Sequence, residues 1–177
     1  MNTRQTQRGV TWVETCVVLT LLGLVCGAAV PAMGQLIDSR RLEGTAVQLA
    51  TDVQFARSEA VARNQPVRIS LFATPQGSCY VVHTGAAGQC LCAESAPATC
   101  TSPAREIKTV ALAANQGVTL TANAASVLFD PLHGTSTPSA TLRVLGRQGR
   151  AIHQVINVMG RVRSCTPAGG VPGYPAC

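Results

Sequence analysis

The longest apolar stretch of the chain lies near its start. Residues 10–33 contain one charged side chain, Glu14. A helix of this length would reach roughly 36 Å at about 1.5 Å per residue, which exceeds a hydrocarbon core of about 30 Å. The pattern therefore predicts a transmembrane helix over residues 10–33. The polar segment before it, residues 1–9, carries Arg4 and Arg8 and is predicted to be a short basic leader.

Apolar residues continue at helical spacing beyond this run. They recur in steps of three and four residues at Leu42, Ala46, Leu49, Val53, Ala56 and Ala60. This spacing is typical of one face of an amphipathic helix, so we predict that the helix continues over residues 34–65 and ends at Asn64-Gln65-Pro66. Six charged residues of this segment are expected mostly to face away from the apolar stripe, namely Arg40, Arg41, Glu43, Asp52, Arg57 and Arg63.

After Pro66 the hydrophobic period changes from helical to two. We predict strands near residues 67–72, 79–83, 107–112, 118–121, 126–130, 140–145 and 151–158, with a hairpin turn at 146–150. Residues 84–104 are rich in Gly, Ala, Ser, Pro and Cys and are predicted to be a loop held by disulfides. The order of elements predicts an α+β fold, in which a long N-terminal helix packs on an antiparallel β-sheet head over residues 66–165. A Pro/Gly-rich tail, residues 166–177, follows.

The eight cysteines divide into two groups. Cys16 and Cys26 lie in the apolar run and are expected to act as small lipid-facing or packing residues. The six other cysteines lie in the head, namely Cys79, Cys90, Cys92, Cys100, Cys165 and Cys177. An even number of cysteines in an exported domain indicates disulfides and an oxidising compartment. Proximity favours Cys165–Cys177, and the pairing of the other four is open. A zinc site is the rival interpretation, but the cysteine and histidine spacings do not fit one, so no metal or cofactor is predicted.

The net charge of +6 is concentrated towards the C-terminus. Beyond Asp130 there is no acidic residue, and the chain carries Arg143, Arg147, Arg150, Arg161 and Arg163. This asymmetry indicates an anionic partner, and an ordinary positive face on an exported domain explains it equally well. The usual signatures of hydrolases, zinc proteases and nucleotide-binding loops are absent from the sequence, so the chain is not predicted to be an enzyme.

The acid in the apolar run has a physical explanation. A carboxylate at the centre of a membrane helix costs about 2.5–3.5 kcal/mol, and less near the interface. If the chain is cut after Gly9, a new α-amine on Val10 lies near the depth of Glu14. The carboxylate of one copy would then pair with the amine of a neighbouring copy, so that both charges leave the lipid together.

The segment Gly9-Val10-Thr11-Trp12-Val13-Glu14 resembles the prepilin peptidase site of type IV pilins and type II secretion pseudopilins. The resemblance implies that prepilin peptidase cuts after Gly9 and that Val10 is N-methylated. It also implies that Glu14 directs assembly with other pilins or pseudopilins through the N-terminal helix. Phenylalanine is the commoner first mature residue, so Val10 departs mildly from the family pattern, and Trp12 is unusual.

The head resembles the FimT/GspH group of minor pseudopilins. The segments that carry this resemblance are Arg57-Ser58-Glu59-Ala60, Phe129-Asp130-Pro131 with Gly134, and Gly160-Arg161-Val162-Arg163. The cysteine-rich insertion at 84–104 and the tail after Arg163 are not general features of that group.

The closing arginines are the main functional candidates. On an extended chain Arg161 and Arg163 point to the same side, about 7 Å apart, which matches successive phosphates of a nucleic acid. Arg147 and Arg150 in the preceding turn are predicted to extend the patch. In FimT-like proteins this glycine–arginine motif is associated with binding incoming DNA, so the resemblance implies double-stranded DNA as a partner. The alternative is that these arginines only solubilise a strand or pair with acids of a neighbouring pseudopilin.

The resemblance, taken with these features, implies a FimT-type minor pilin of a type IV pilus system that takes part in natural transformation. Arg4 and Arg8 would stay in the cytoplasm. The chain would cross the bacterial inner membrane once, with its head in the periplasm, and join a pilus. The alternative is a GspH-type minor pseudopilin of a type II protein secretion system.

Overall fold

The computed structural model describes residues 9–74, 76–93, 96–167 and 170–177, without the side chains of residues 28–32, 93 and 96. The predicted leader, apart from Gly9, lies outside the described residues. The chain divides into two compact units, Met1–Ile37 and Asp38–Cys177. Helix α1, Trp12–Arg63, contributes residues to both.

Eleven strands follow helix α1 among the described residues. Their bounds are β1 Val67–Thr74, β2 Gly77–Thr84, β3 Cys90–Ala93, β4 Ala96–Cys100, β5 Glu106–Ala113, β6 Thr119–Ala122, β7 Ser126–Phe129, β8 Ser136–Thr137, β9 Ala140–Leu145, β10 Ala151–Ile156 and β11 Val162–Cys165. The seven predicted strands correspond to β1, β2, β5, β6, β7, β9 and β10. The predicted turn at 146–150 joins β9 to β10 through a short 3₁₀ segment.

The strands form two main sheets and a separate hairpin. One sheet has the order β5-β2-β1-β7-β8, and the second has the order β11-β10-β9-β6. Within the part of the chain that the structure describes, strands β3 and β4 pair only with each other. All pairs of these strands are antiparallel. The predicted α+β fold, a long helix packed on antiparallel sheet, is confirmed.

The predicted apolar stripe of the helix forms one side of the core. Each of its members is at most 1% exposed, namely Leu42, Ala46, Leu49, Val53, Ala56 and Ala60. They pack in one cluster with inward-facing residues of both sheets, including Ile69, Phe129 and Ile152. Burying such side chains stabilises the fold by about 1.5–3 kcal/mol for each large aliphatic residue.

Asp52 does not face away from the stripe, and that expectation is wrong. Its side chain lies in the interior, and the residue is 2% exposed. Asp52 follows Leu49 by three positions and precedes Ala56 by four, so helical geometry places it on the same face as the stripe. Its carboxylate accepts hydrogen bonds from the Tyr80 hydroxyl at 2.7 Å and from the Lys108 ammonium at 2.6 Å. The buried charge is therefore paired, as burial of a carboxylate requires.

The cysteine-rich insertion contains the β3–β4 hairpin rather than only a loop. A disulfide between Cys90 and Cys100 closes this hairpin, and one between Cys79 and Cys92 joins it to β2. Its residues pack with Val81 in a second apolar cluster, distinct from the main core. Val81 alternates with core residues on β2, so the hairpin covers the face of the sheet opposite to the helix.

The tail is folded in its described parts. The predicted bond between Cys165 and Cys177 is present and closes it into a loop. Thr166 forms an isolated bridge with Ala176, and its hydroxyl donates to the Ala151 carbonyl at 2.9 Å. Val171 is 2% exposed and packs in the main core. The tail therefore packs against the second sheet where β10 begins and β11 ends.

Candidate functional site

The predicted assembly end of the chain is exposed. Gly9 and Val10 precede the helix, and residues 9–27 are all exposed. Thr11 lies directly before α1, and its hydroxyl accepts a hydrogen bond of 3.3 Å from the Glu14 backbone N–H. This is the geometry of an N-terminal cap, with the acid at the third helical position. Glu14 therefore occupies the first turn of the helix, where a negative charge is favourable.

The structure describes only part of the predicted membrane segment. Within the described residues, which leave out the side chains of 28–32, no helix combines the length and the apolarity needed to cross a membrane. The transmembrane assignment of residues 10–33 stays a prediction. Both free cysteines of the structure, Cys16 and Cys26, are exposed on this part of the helix.

The turn that presents Arg161 is organised by Asn157. Its Oδ1 accepts hydrogen bonds from the backbone N–H of Met159 at 3.1 Å and of Arg161 at 3.0 Å. The Gly160 N–H donates to the Asn157 carbonyl at 2.9 Å, and the Asn157 N–H donates to the Arg161 carbonyl at 3.1 Å. These bonds fix the connection between β10 and β11. Arg161 and Arg163 are both exposed beside it.

Gly160 is required by close packing at this turn. Its φ is +69°, a left-handed value that favours glycine. A Cβ at this position would lie 2.5 Å from the Gly134 carbonyl oxygen and 3.0 Å from Arg57. Arg57 itself donates from Nε to that carbonyl at 2.8 Å. The three segments that resemble the FimT/GspH group therefore meet at one point, directly beside Arg161.

A third arginine shares the face of the second sheet with Arg163. Arg163 lies opposite Val155, and Arg143 lies opposite His153, two residues away on β10. Directly opposite residues project to the same face, so Arg143 and Arg163 lie on one surface, with Cα atoms roughly 12 Å apart. Both are exposed. Burial, together with the charge of Arg143, lowers the pKa of His153 between them, which favours its neutral form.

The structure does not bring Arg147 and Arg150 to this patch. They precede β10, whereas Arg161 follows it, so the six-residue strand separates them by roughly 20 Å. Arg147 pairs with Asp38 at 3.6 Å, and Arg150 donates from Nη1 to the Ser39 hydroxyl at 3.0 Å. Both therefore hold the 146–150 turn against the helix. Among the described residues no acid pairs with Arg143, Arg161 or Arg163.

Comparison with known families decides the class of this protein. The family described as "Type II transport protein GspH" matches residues 45–160. The chain belongs to the GspH family. The matched region includes Arg57, Gly134 and Gly160. It ends before Arg161, so Arg161 and Arg163 lie outside it. No curated protein sequence matches the chain.

Solved structures show the same fold for this GspH-family chain. Two crystal structures of the type IV minor pilin FimU from Pseudomonas aeruginosa match it with TM-scores of 0.52 and 0.55. Their sequence identities are 16% and 18%, and the matches cover 71% and 73% of this chain and 97% and 94% of the FimU chains. The chain is thus a minor pilin or pseudopilin of a type IV pilus or type II secretion system, a class of structural subunits.

Proposed function

We propose that the chain is a FimT-type minor pilin of a type IV pilus system that contacts double-stranded DNA through Arg161 and Arg163. The observation that carries the proposal is that both arginines are exposed and have no acidic partner among the described residues, while Asn157 holds the backbone of Arg161. Guanidinium groups bind phosphates with charge-assisted hydrogen bonds, and such contacts do not depend on sequence. Arg143, on the same face of the sheet as Arg163, adds a third cation. It extends the patch as was predicted for Arg147 and Arg150.

The same proposal covers the N-terminal helix. Prepilin peptidase cuts after Gly9, Val10 is N-methylated, and residues 10–33 anchor the subunit in the inner membrane with the head in the periplasm. The exposure of every residue from 9 to 27 supports a helix that is covered by lipid or by neighbouring subunits. Glu14 then pairs with the amine of an adjacent pilin during assembly. The six disulfide-bonded cysteines fit an oxidising compartment outside the cytoplasm.

A gel-shift titration of the full chain in detergent with duplex DNA tests the DNA contact. We expect the double variant Arg161→Gln/Arg163→Gln to weaken binding and to lower the salt slope by roughly 0.9 for each phosphate that the protein no longer neutralises. The matched control is Arg147→Gln/Arg150→Gln, which removes the same charge at the other end of β10. Wild-type protein that does not shift DNA at low salt, or equal weakening in both double variants, would refute the proposal.

A minor pseudopilin of a type II secretion system is the second candidate. The description of the matched family favours it. In that case the arginines meet acids of partner pseudopilins, and the subunit supports protein export rather than DNA uptake. Deletion of the gene separates the two, because loss of secretion with normal transformation supports this candidate and the reverse supports the first.

A further inference from the structure

A cleft with three arginines lies on the five-stranded sheet, whereas Arg143 and Arg163 lie on the four-stranded sheet. It has a volume of about 650 Å³ and is lined by Arg63, Arg68 and Arg105. Its apolar wall includes Pro66, Pro103 and Leu128. Volumes of this size are typical of ligand sites.

Arg68 has a buried side-chain nitrogen without a hydrogen-bond partner among the described residues. It alternates on β1 with the buried core residues Val67 and Ile69, so it points away from the helix. Its Nη1 donates to the Ser126 hydroxyl at 2.8 Å, but its buried Nε has no acceptor among the described residues. A buried guanidinium N–H without an acceptor is destabilising, and a bound anion would supply one.

The charge of the cleft is only partly balanced. Arg63 pairs with Glu59 on the preceding turn of the helix. Neither Arg68 nor Arg105 has an acidic partner among the described residues. The pKa of His83 is lowered by burial and further by the positive charge of Arg68. The cleft is therefore a positive site, and the half-buried Arg68 within it has a buried Nε without an acceptor among the described residues.

The insertion between β2 and β5 builds one wall of the cleft. Arg105 is fixed at its base, because its N–H donates to the Thr84 hydroxyl at 3.0 Å and its carbonyl accepts from the Thr84 N–H at 2.9 Å. Ala104 beside it is 7% exposed and packs under the β3–β4 hairpin. The hairpin held by the two disulfides thus packs against Ala104, the residue next to Arg105.

We propose that this cleft, the arginine cleft, binds an extended acidic peptide segment of a partner protein, with apolar side chains between its acids. Carboxylates would meet Arg68 and Arg105, and the apolar side chains would lie against the proline and leucine wall. A duplex is convex and would reach only the rim of a concave site, and free phosphate makes no use of an apolar wall. This inference does not depend on the DNA contact, which lies on the other sheet.

Fluorescence anisotropy of the full chain in detergent tests the arginine cleft. The probe is a fluorescein-labelled peptide, Leu-Asp-Val-Glu-Leu, and its control is the amide form Leu-Asn-Val-Gln-Leu. We expect the acidic probe to bind and the amide form to bind at least about tenfold more weakly. Arg105→Gln should weaken binding by about tenfold as well, whereas Arg41→Gln, an exposed arginine on the helix, should leave it unchanged.

Other outcomes would overturn the proposal. Arg68→Gln risks unfolding, so Arg105→Gln, at an exposed residue, is the deciding variant. Absence of probe binding, equal binding of the amide form, or equal weakening by Arg41→Gln contradicts a built peptide site. Displacement of the probe by an equal concentration of inorganic phosphate shows a simple anion site instead. The Arg161→Gln/Arg163→Gln variant should bind the probe normally, so failure here and failure of the DNA proposal are distinguishable.

Discussion

Tyr80 on β2 donates a hydrogen bond of 2.7 Å to Asp52 of helix α1. The two residues are 1% and 2% exposed, so the bond lies inside the main core. Burial, and then the bond and charge of Asp52, raise the pKa of Tyr80, which keeps its hydroxyl protonated as the donor. The bond connects the helix to β2, the neighbour of the central strand β1 in the five-stranded sheet.

Removing this hydroxyl should weaken the fold. We expect Tyr80→Phe to lower the free energy of unfolding by about 1–2 kcal/mol, because Asp52 would lose one of its two side-chain donors among the described residues. The matched control is Tyr174→Phe, since Tyr174 is the chain's other tyrosine and is only partly buried. Urea unfolding of the full chain in detergent, followed by circular dichroism, measures both. Equal effects of the two variants would contradict the role given to Tyr80.

His83 should make the fold sensitive to acid. It is fully buried, its Nε2 accepts from the Ser70 hydroxyl at 2.8 Å, and its Nδ1 lies 2.9 Å from the Thr84 carbonyl. Burial lowers its pKa in the folded state. The unfolded chain therefore takes up a proton first as pH falls below about 6.5, and the free energy of unfolding decreases there.

A pH series of unfolding measurements tests this role of His83. The decline in stability below about pH 6.5 should be strongly reduced in His83→Gln. It should persist in His133→Gln, because His133 is exposed. His153→Gln should remove a smaller part, since His153 is less buried than His83. A wild-type stability that is flat from pH 7 to 5 would rule out this assignment.

Gly160→Ala should be more damaging than an ordinary left-handed glycine substitution. The two glycines have similar φ values, +72° at Gly149 and +69° at Gly160. A Cβ added at Gly149 would meet open space, whereas a Cβ added at Gly160 would lie 2.5 Å from the Gly134 carbonyl oxygen. We expect Gly149→Ala to cost about 1 kcal/mol and Gly160→Ala clearly more, with weaker DNA binding as the Arg161 turn shifts. Unfolding and gel-shift titrations measure the two effects. Equal costs would mean that the packing with Arg57 and Gly134 is unimportant.

Processing should remove the leader at Gly9. Mass spectrometry of the membrane-extracted protein should give a mature chain that begins with N-methylated Val10. Glu14→Gln should still be processed but should no longer enter pili, because it cannot pair with a neighbouring amine. Glu43→Gln, outside the predicted membrane segment, should assemble normally. A mature protein that still begins at Met1 contradicts the pilin pathway proposed for this chain.

The disulfide pairing is directly measurable. Peptide mapping without reductant should recover Cys79–Cys92, Cys90–Cys100 and Cys165–Cys177, and only Cys16 and Cys26 should be alkylated. Replacing both Cys165 and Cys177 by serine should lower stability by about 2–4 kcal/mol, because an open tail gains entropy in the unfolded chain. Free thiols in the exported head would contradict the pairing.

The helix and most strands were accessible from the sequence because their hydrophobic periods are clear. The six members of the stripe from Leu42 to Ala60 are all buried, as the spacing predicts. The β3–β4 hairpin was not predicted, since Cys90-Leu91-Cys92 is too short and too poor in β-branched residues to signal a strand. Asp52 was misplaced because its compensating partners, Tyr80 and Lys108, are distant in sequence.

The positions of the exposed arginines depend on how the strands pair, so the sequence predicts them only in part. The exposure of Arg161 and Arg163 follows from local alternation. The position of Arg143 beside Arg163 requires the pairing of both strands with β10. Arg147 and Arg150 are close to Arg161 in sequence, but an intervening strand carries them to the opposite end of the sheet. The arginine cleft combines residues from the end of α1, β1 and the insertion, which no local pattern connects.

Strands β2 and β5 are antiparallel neighbours that already pair from Gly77–Ala113 to His83–Glu106. The whole insertion, including its two-disulfide hairpin, therefore joins two ends that a short turn could connect. Such an appendage can be lost, exchanged or redesigned while the ladder beneath it keeps its hydrogen bonds. The proposed arginine cleft can thus diverge between relatives while the helix and the two main sheets stay the same.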